Sequence, residues 1–146
     1  MLLYLDLNCF NRPFDDQSQN RIAQETKAIF VILQRIVEGN DTLAWSAILA
    51  FENAQHPLID RRAEIAQWGH RSVVTISINA SLALRAQQLT SMGLDALDAA
   101  HLASAEATNC DYFLTCDDKF TRRSRRIGVI LPIRNPIEYV KEQVNE

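Results

Sequence analysis

The sequence predicts an α/β fold with a parallel sheet. Short apolar or β-branched runs at Leu2–Leu5, Val73–Ile76 and Asp111–Thr115 read as strands. Helical apolar patterns separate them, and strands that alternate with helices pair in parallel through crossovers. The first run shows no polar alternation, which suits a strand covered on both faces. The 146 residues, 47% apolar and 23% charged, fit one domain over 1–146 and exclude a disordered chain. With only four glycines and four prolines there is no low-complexity linker to divide it.

The elements follow in order. The first strand ends at Asp6, and Asn8–Phe14, which contains Pro13, reads as a loop. Asp16 and Gln19 have capping-box spacing before a long amphipathic helix (Ile22, Ala23, Thr26, Ile29, Phe30, Leu33, Ile36, Val37), which Gly39 ends. Thr42–Ser46 is a second strand. Ser46 opens a helix that carries Glu52 and stops before Pro57. Arg61–Trp68 is helical, with Gly69 as its end. The third strand, Val73–Ile76, precedes a helix over Asn79–Met92 closed by Gly93. An alanine-rich helix covers Asp95–Thr108. Asp111–Thr115 is a strand entering the loop Cys116–Asp118. A basic helix runs to about Arg126, a short strand lies around Val129–Leu131, and a last turn or helix starts at Pro136.

Charge and cysteine content narrow the function. The net charge of −3 does not mark a general nucleic-acid binder. Five of the eight residues from Lys119 to Arg126 are basic, and arginine is the better bidentate phosphate ligand. A solvated helix face is the simplest reading of that run. Cys9, Cys110 and Cys116 make no CxxC and no zinc spacing, so they read as buried thiols of a cytoplasmic protein. The N-terminus lacks a basic stretch and has a carboxylate at position six, unlike a secretory signal. No apolar run is long enough for a membrane span.

Four acids carry the chemistry. Asp6 and Asp117 fall at the carboxyl ends of two strands, the edge where open parallel sheets bind ligands. Asp98 falls in the first turn of the alanine-rich helix, and Glu52 on the helix after the second strand. Singly, each has an ordinary explanation: a turn residue at Asp6, a dipole partner at Asp98 with Asp95 as N-cap, an N-cap at Asp117, a solvent-facing residue at Glu52. Together they form a like-charge cluster that is unfavourable without cations or protons. An all-oxygen donor set favours Mg²⁺ or Mn²⁺ over zinc, and one or two such ions activate water and stabilise the leaving oxygen of a phosphodiester.

The segments Tyr4–Asn8, Ser46–Glu52, Asp95–Ala103 and Leu114–Phe120 occur in an order that resembles the PIN-domain ribonucleases, which include the VapC-type toxins of type II toxin–antitoxin pairs. The hydrophobic-Thr-x-Asp-x-x-Phe segment and the Asp98-x-x-His101 pair are the more specific parts. The resemblance covers nearly the whole chain. It implies a three-layer α/β/α PIN-like fold with a central, mostly parallel sheet. It further implies a divalent-metal-dependent endoribonuclease that leaves a 5′-phosphate product, an RNA substrate, an antitoxin partner and a homodimer. Asp6, Glu52, Asp98 and Asp117 match the family's four acids. Thr-x-Asp spacing selects Asp117 over the adjacent Asp118, which stays a candidate beside it.

Other residues join with two readings each. Asn8 either hydrogen-bonds near the metal or stabilises a loop. Thr115 either orients Asp117 or a water at the metal, or is a strand-end threonine. His101, one turn after Asp98, reads as a histidine packed against the sheet, with metal ligand or general acid as the alternative. Arg12 meets an RNA phosphate or makes a surface ion pair. Arg122 and Arg123 steer the RNA backbone or hold an acidic antitoxin tail. A catalytically silent PIN-like RNA-binding protein is the rival function. A phosphoacceptor receiver domain wants paired acids after the first strand and a late lysine in another context. A haloacid-dehalogenase-like phosphatase wants Asp-x-Asp, which Asn8 breaks.

Overall fold

A computed structural model describes residues 1–144. Its centre is a five-stranded parallel sheet of β1 (Leu2–Leu5), β2 (Thr42–Ser46), β3 (Val74–Ile76), β4 (Tyr112–Leu114) and β5 (Ile133–Arg134), in the spatial order β3-β2-β1-β4-β5. The first run earns its central position: Leu3, Tyr4 and Leu5 are fully buried, as the unbroken apolar pattern requires.

Helices α1 (Leu7–Asn11), α2 (Asn20–Val37), α3 (Ala47–Ala54) and α4 (Ile59–Arg71) belong to the crossovers that lead from β1 to β2 and on to β3. Helices α5 (Ala80–Ser91), α6 (Ala96–Ala107) and α7 (Asp118–Arg126) belong to the crossovers that run the other way, to β4 and β5. Right-handed connections therefore put the two groups on opposite faces, giving three layers. Helix α8 (Pro136–Gln143) returns to pack on α2. The chain leaves β1 toward one side and β4 toward the other, so a crevice opens between the carboxyl ends of these neighbours. Asp6 and Asp117 stand at that crevice. Among the described residues no helix is long and apolar enough to cross a membrane.

Four local expectations are corrected. Residues 8–14 are not a loop: α1 is followed by a 3₁₀ turn over Arg12–Phe14. Pro13 sits second in that turn without loss, because the first N–H groups of a helix have no internal partner. Burial of Leu7, Cys9 and Phe10 holds α1 in place. Asp16 does not cap α2; its Oδ1 accepts from the Ser18 N–H at 3.0 Å and the Ser18 hydroxyl at 2.7 Å, closing a local turn. Gly69 does not end its helix, which continues to Arg71. A Cβ there would stand 2.8 Å from Cε2 of Trp45, so glycine serves close packing of α4 on β2. The fifth strand lies at 133–134, not 129–131. Gly128, at φ +81°, ends α7 with the Val129 N–H still bonded to the Ser124 carbonyl, and pairing begins only after Pro132. Gly39, at φ +81°, ends α2 as expected. The three cysteines are buried and unpaired.

Candidate active site

The carboxyl ends of β1 and β4 are tied by the Asp6 N–H, which donates to the Leu114 carbonyl at 2.9 Å. The Asp6 side chain sits in a small polar lattice. Its Oδ2 accepts from Thr115 Oγ1 at 2.9 Å and from Asn8 Nδ2 at 3.1 Å. Thr115 Oγ1 also accepts from Asn8 Nδ2 and from the Asp117 N–H, each at 3.1 Å. Asn8 Oδ1 accepts from the Cys116 N–H at 3.1 Å, which fastens α1 to the loop after β4. Asn8 and Thr115 thus hold Asp6 and Asp117 in one arrangement.

Asp117 also caps α7, with Oδ1 accepting from the Phe120 N–H at 3.1 Å. The capping reading of this residue is met, and the residue also lines the cleft described below. Asp98 sits in the first turn of α6, while Asp95 makes no capping bond and stands 3.6 Å from Arg123. Glu52 is half-buried on α3, with Oε1 3.2 Å from His101 Nε2. Asp6, Glu52, Asp98 and Asp117 line one cleft of about 400 Å³, with Leu7, Asn8, Asn11 and Asp15. A larger cavity of about 670 Å³ lies between α3, α4 and β3 but carries no acid. Charge, not size, singles out the cleft.

The electrostatics are those of an uncompensated cluster. Among the described residues no lysine or arginine forms an ion pair with any of the four acids. Burial raises the Asp6 carboxyl above the usual range, against the pull of His101 and the Thr115 hydrogen bond. Burial, with repulsion from Asp6, Asp117 and Asp95, lifts Asp98 to about 6. Three ligand atoms from Asp6, Glu52 and His101 lie within 4.8 Å of one another, close enough to share one ion. Carboxylates with no lysine or arginine partner among the described residues, gathered with an amide and an imidazole, fit a divalent metal.

Of the remaining candidates, Asp118, Arg12, Arg122 and Arg123 fall outside this group, and His101 borders it. Asp118 points away from the cleft into a bidentate pair with Arg21, at 2.6 and 2.7 Å, which holds its carboxyl below the usual range. Arg12 is engaged by Asp15 at 2.9 Å and by buried Glu25 at 3.2 Å, the ion-pair reading, although its Nε is not aligned for a hydrogen bond to Glu25. Arg122 is exposed on α7, and Arg123 reaches Asp95. His101 is 2% exposed and packed against the sheet, yet its Nε2 reaches Glu52. Asn11 and Asp15 also line the cleft, and the sequence does not single them out. Asn8 and Asn11 share a face at helical spacing, a signal hidden by taking α1 for a loop. Asp15 gave no signal, because only the 3₁₀ turn brings it to the rim.

The fold recurs in known proteins. VapBC2 from Rickettsia felis, solved bound to a DNA fragment from their promoter, superposes with a TM-score of 0.62 over 92% of this chain and 98% of that one, at 16% identity. FitAcB from Neisseria gonorrhoeae gives 0.58 over 93% and 98%, also at 16%. VapBC-1 from nontypeable Haemophilus influenzae gives 0.57 over 93% and 98%, at 18%. No curated protein matches the sequence. Residues 3–126 match the PIN domain, a span from the first strand to the end of α7 that contains all four acids, and the chain belongs to that family.

Proposed function

We propose that this chain is a divalent-metal-dependent endoribonuclease. The observation that carries the reading is the convergence of four carboxylates, none paired with lysine or arginine among the described residues, on one cleft at the point where the sheet's connections diverge. Asp6, Asp98 and Asp117 would hold Mg²⁺ or Mn²⁺, and Glu52 would complete the site or orient the attacking water. The ion, when bound, supplies the charge that activates water and stabilises the leaving oxygen of the phosphodiester. The chain's own work is placement. Thr115 and Asn8 fix Asp6, and the α7 cap fixes Asp117. The arginines of α7, Arg122 and Arg123 among them, lie on the helix that Asp117 caps and would guide an RNA backbone toward the acids.

The wider reading is the toxin of a type II pair. Its support is the PIN match together with neighbours that bear the VapBC name. An antitoxin would be the protein partner. Cytoplasmic action fits three thiols that form no disulfide. A homodimer is part of the reading and is checked by sedimentation. So is a single domain over 1–146, supported by α8, which lies beyond the family match yet packs on α2; residues 145 and 146 lie outside the described residues.

The test is cleavage of a mixed pool of structured RNAs by purified protein with Mg²⁺, with Mn²⁺ and with EDTA. Cleavage that needs the metal and disappears in Asp6→Asn supports the enzyme. RNA binding with no cleavage under any metal overturns it in favour of a silent RNA-binding PIN domain.

A further inference from the structure

Hydrogen bonds at the strand ends hold Asp6 and Asp117, and for Glu52 the holder lies in the core. Its carboxylate has one side-chain partner among the described residues, His101 Nε2 at 3.2 Å. His101 Nδ1 lies 2.7 Å from the Tyr4 hydroxyl, and that hydroxyl lies 2.7 Å from Ser46 Oγ. Ser46 in turn caps α3, accepting from the Leu49 N–H at 3.0 Å. Tyr4 and Ser46 are fully buried and His101 is 2% exposed.

The donors can be followed from one end. An ionised Glu52 only accepts, so His101 Nε2 carries a hydrogen. In the tautomer whose Nδ1 carries no hydrogen, Tyr4 donates to it. Tyr4 accepts from the Ser46 hydroxyl, whose oxygen also takes the Leu49 N–H. No hydrogen in the series is left unused. The series begins at the N-cap of α3 and ends on Glu52 of the same helix, passing through β1 and α6 on the way. It closes a loop around the base of the cleft.

We propose that His101, backed by Tyr4 and Ser46, is a positioning residue that holds Glu52 toward Asp6 for metal binding. The inference deepens the nuclease reading and rests on its assignment of Glu52 to the metal. A glutamate has three rotatable side-chain bonds, and a half-buried one with a single partner loses its fixed geometry when that partner goes. Buried neutral links are strong and leave little slack, so the carboxylate is set before an ion arrives.

The test is calorimetric titration of the metal-free protein with Mn²⁺, beside RNA cleavage. His101→Leu is expected to weaken Mn²⁺ binding about 10–100-fold, the usual cost of removing a residue that orients a ligand. His101→Gln, which retains a donor toward Glu52, is expected to restore most of that loss. In a Glu52→Gln background His101→Leu is expected to add nothing. Should His101→Leu fail to fold, Tyr4→Phe removes the backing hydroxyl at constant shape and is expected to weaken Mn²⁺ several-fold. Unchanged Mn²⁺ affinity in the folded variants overturns the proposal. So does a loss that persists undiminished in the Glu52→Gln background, because His101 would then be a ligand itself. If the variants show the full pattern with Mn²⁺ and the wild type cuts no RNA, the nuclease reading alone breaks. One that cuts RNA and is indifferent to His101 breaks this inference alone.

Discussion

At the amino end of the sheet Asp41 is 1% exposed, and it is met on every side: Arg35 Nε at 2.9 Å, the Met1 amine at 3.4 Å and the Tyr139 hydroxyl at 3.0 Å. At the carboxyl end four acids share a cleft without one lysine or arginine partner among the described residues. Both ends bear the cost of taking carboxylates out of water. At the amino end that cost is offset inside the protein, and the acid joins strands to helices. At the carboxyl end it is left open, and the charge is available to something that binds. Buried acidity alone is therefore no sign of a site; buried acidity without compensation is.

Breaking each end should give opposite results. The largest effect is expected from Asp6→Asn, which should lower metal-dependent RNA cleavage by at least about 10³-fold, beyond the range for losing one preorganised donor, while circular dichroism stays unchanged. Next is Arg35→Leu at the other end, which leaves Asp41 short of a partner. It should cost roughly 3 kcal/mol in urea unfolding, the lower part of the range for a broken buried pair because Arg35 is partly exposed. Cleavage per folded molecule should not change. Thr115→Val preserves shape and removes the hydroxyl that holds Asp6; Mn²⁺ affinity by titration should fall about 10–100-fold.

Smaller effects sharpen the contrast. Asp98, lifted to about 6, binds its proton more tightly in the folded than in the unfolded chain. Stability of the metal-free protein should thus fall as pH rises from about 4, the unfolded value, to about 6, and level off above. Asp98→Asn should flatten that slope and raise Tm at pH 7.5 by roughly 3 °C, the shift that about 1 kcal/mol produces in a chain of this size. Smallest is Arg21→Ala, which frees Asp118. An exposed pair is worth at most about 1 kcal/mol, and cleavage should persist, leaving Asp117 as the acid that matters.

Much of this was legible in the residues. The unbroken apolar run before Asp6 predicts a central strand, and Ser46 and Gly39 mark helix ends where the structure has them. The joint placement of the four acids follows from two strand ends, the first turn of α6 for Asp98 and the short helix after the second strand for Glu52. What the sequence hid depends on packing between distant segments. Gly69 resembles a helix stop, and only Trp45 beneath it shows why the helix continues. Pro13 resembles a loop, yet the buried face of Leu7, Cys9 and Phe10 makes a helix of the preceding turn. Asp118 sits beside Asp117 in sequence and is removed from the cleft by Arg21, 97 positions away. The link from His101 to Glu52 joins α6 to α3, and no local pattern encodes it.

The most direct test of the carboxyl-edge cleft as a cation site is thermal melting of metal-free protein against rising Mn²⁺ at pH 7.5, for wild type and Asp6→Asn. An ion that binds only the folded chain raises Tm with concentration. The expected result is a Tm that climbs with Mn²⁺ in the wild type and stays flat in Asp6→Asn. Parallel curves for the two proteins, rising or flat, would contradict it.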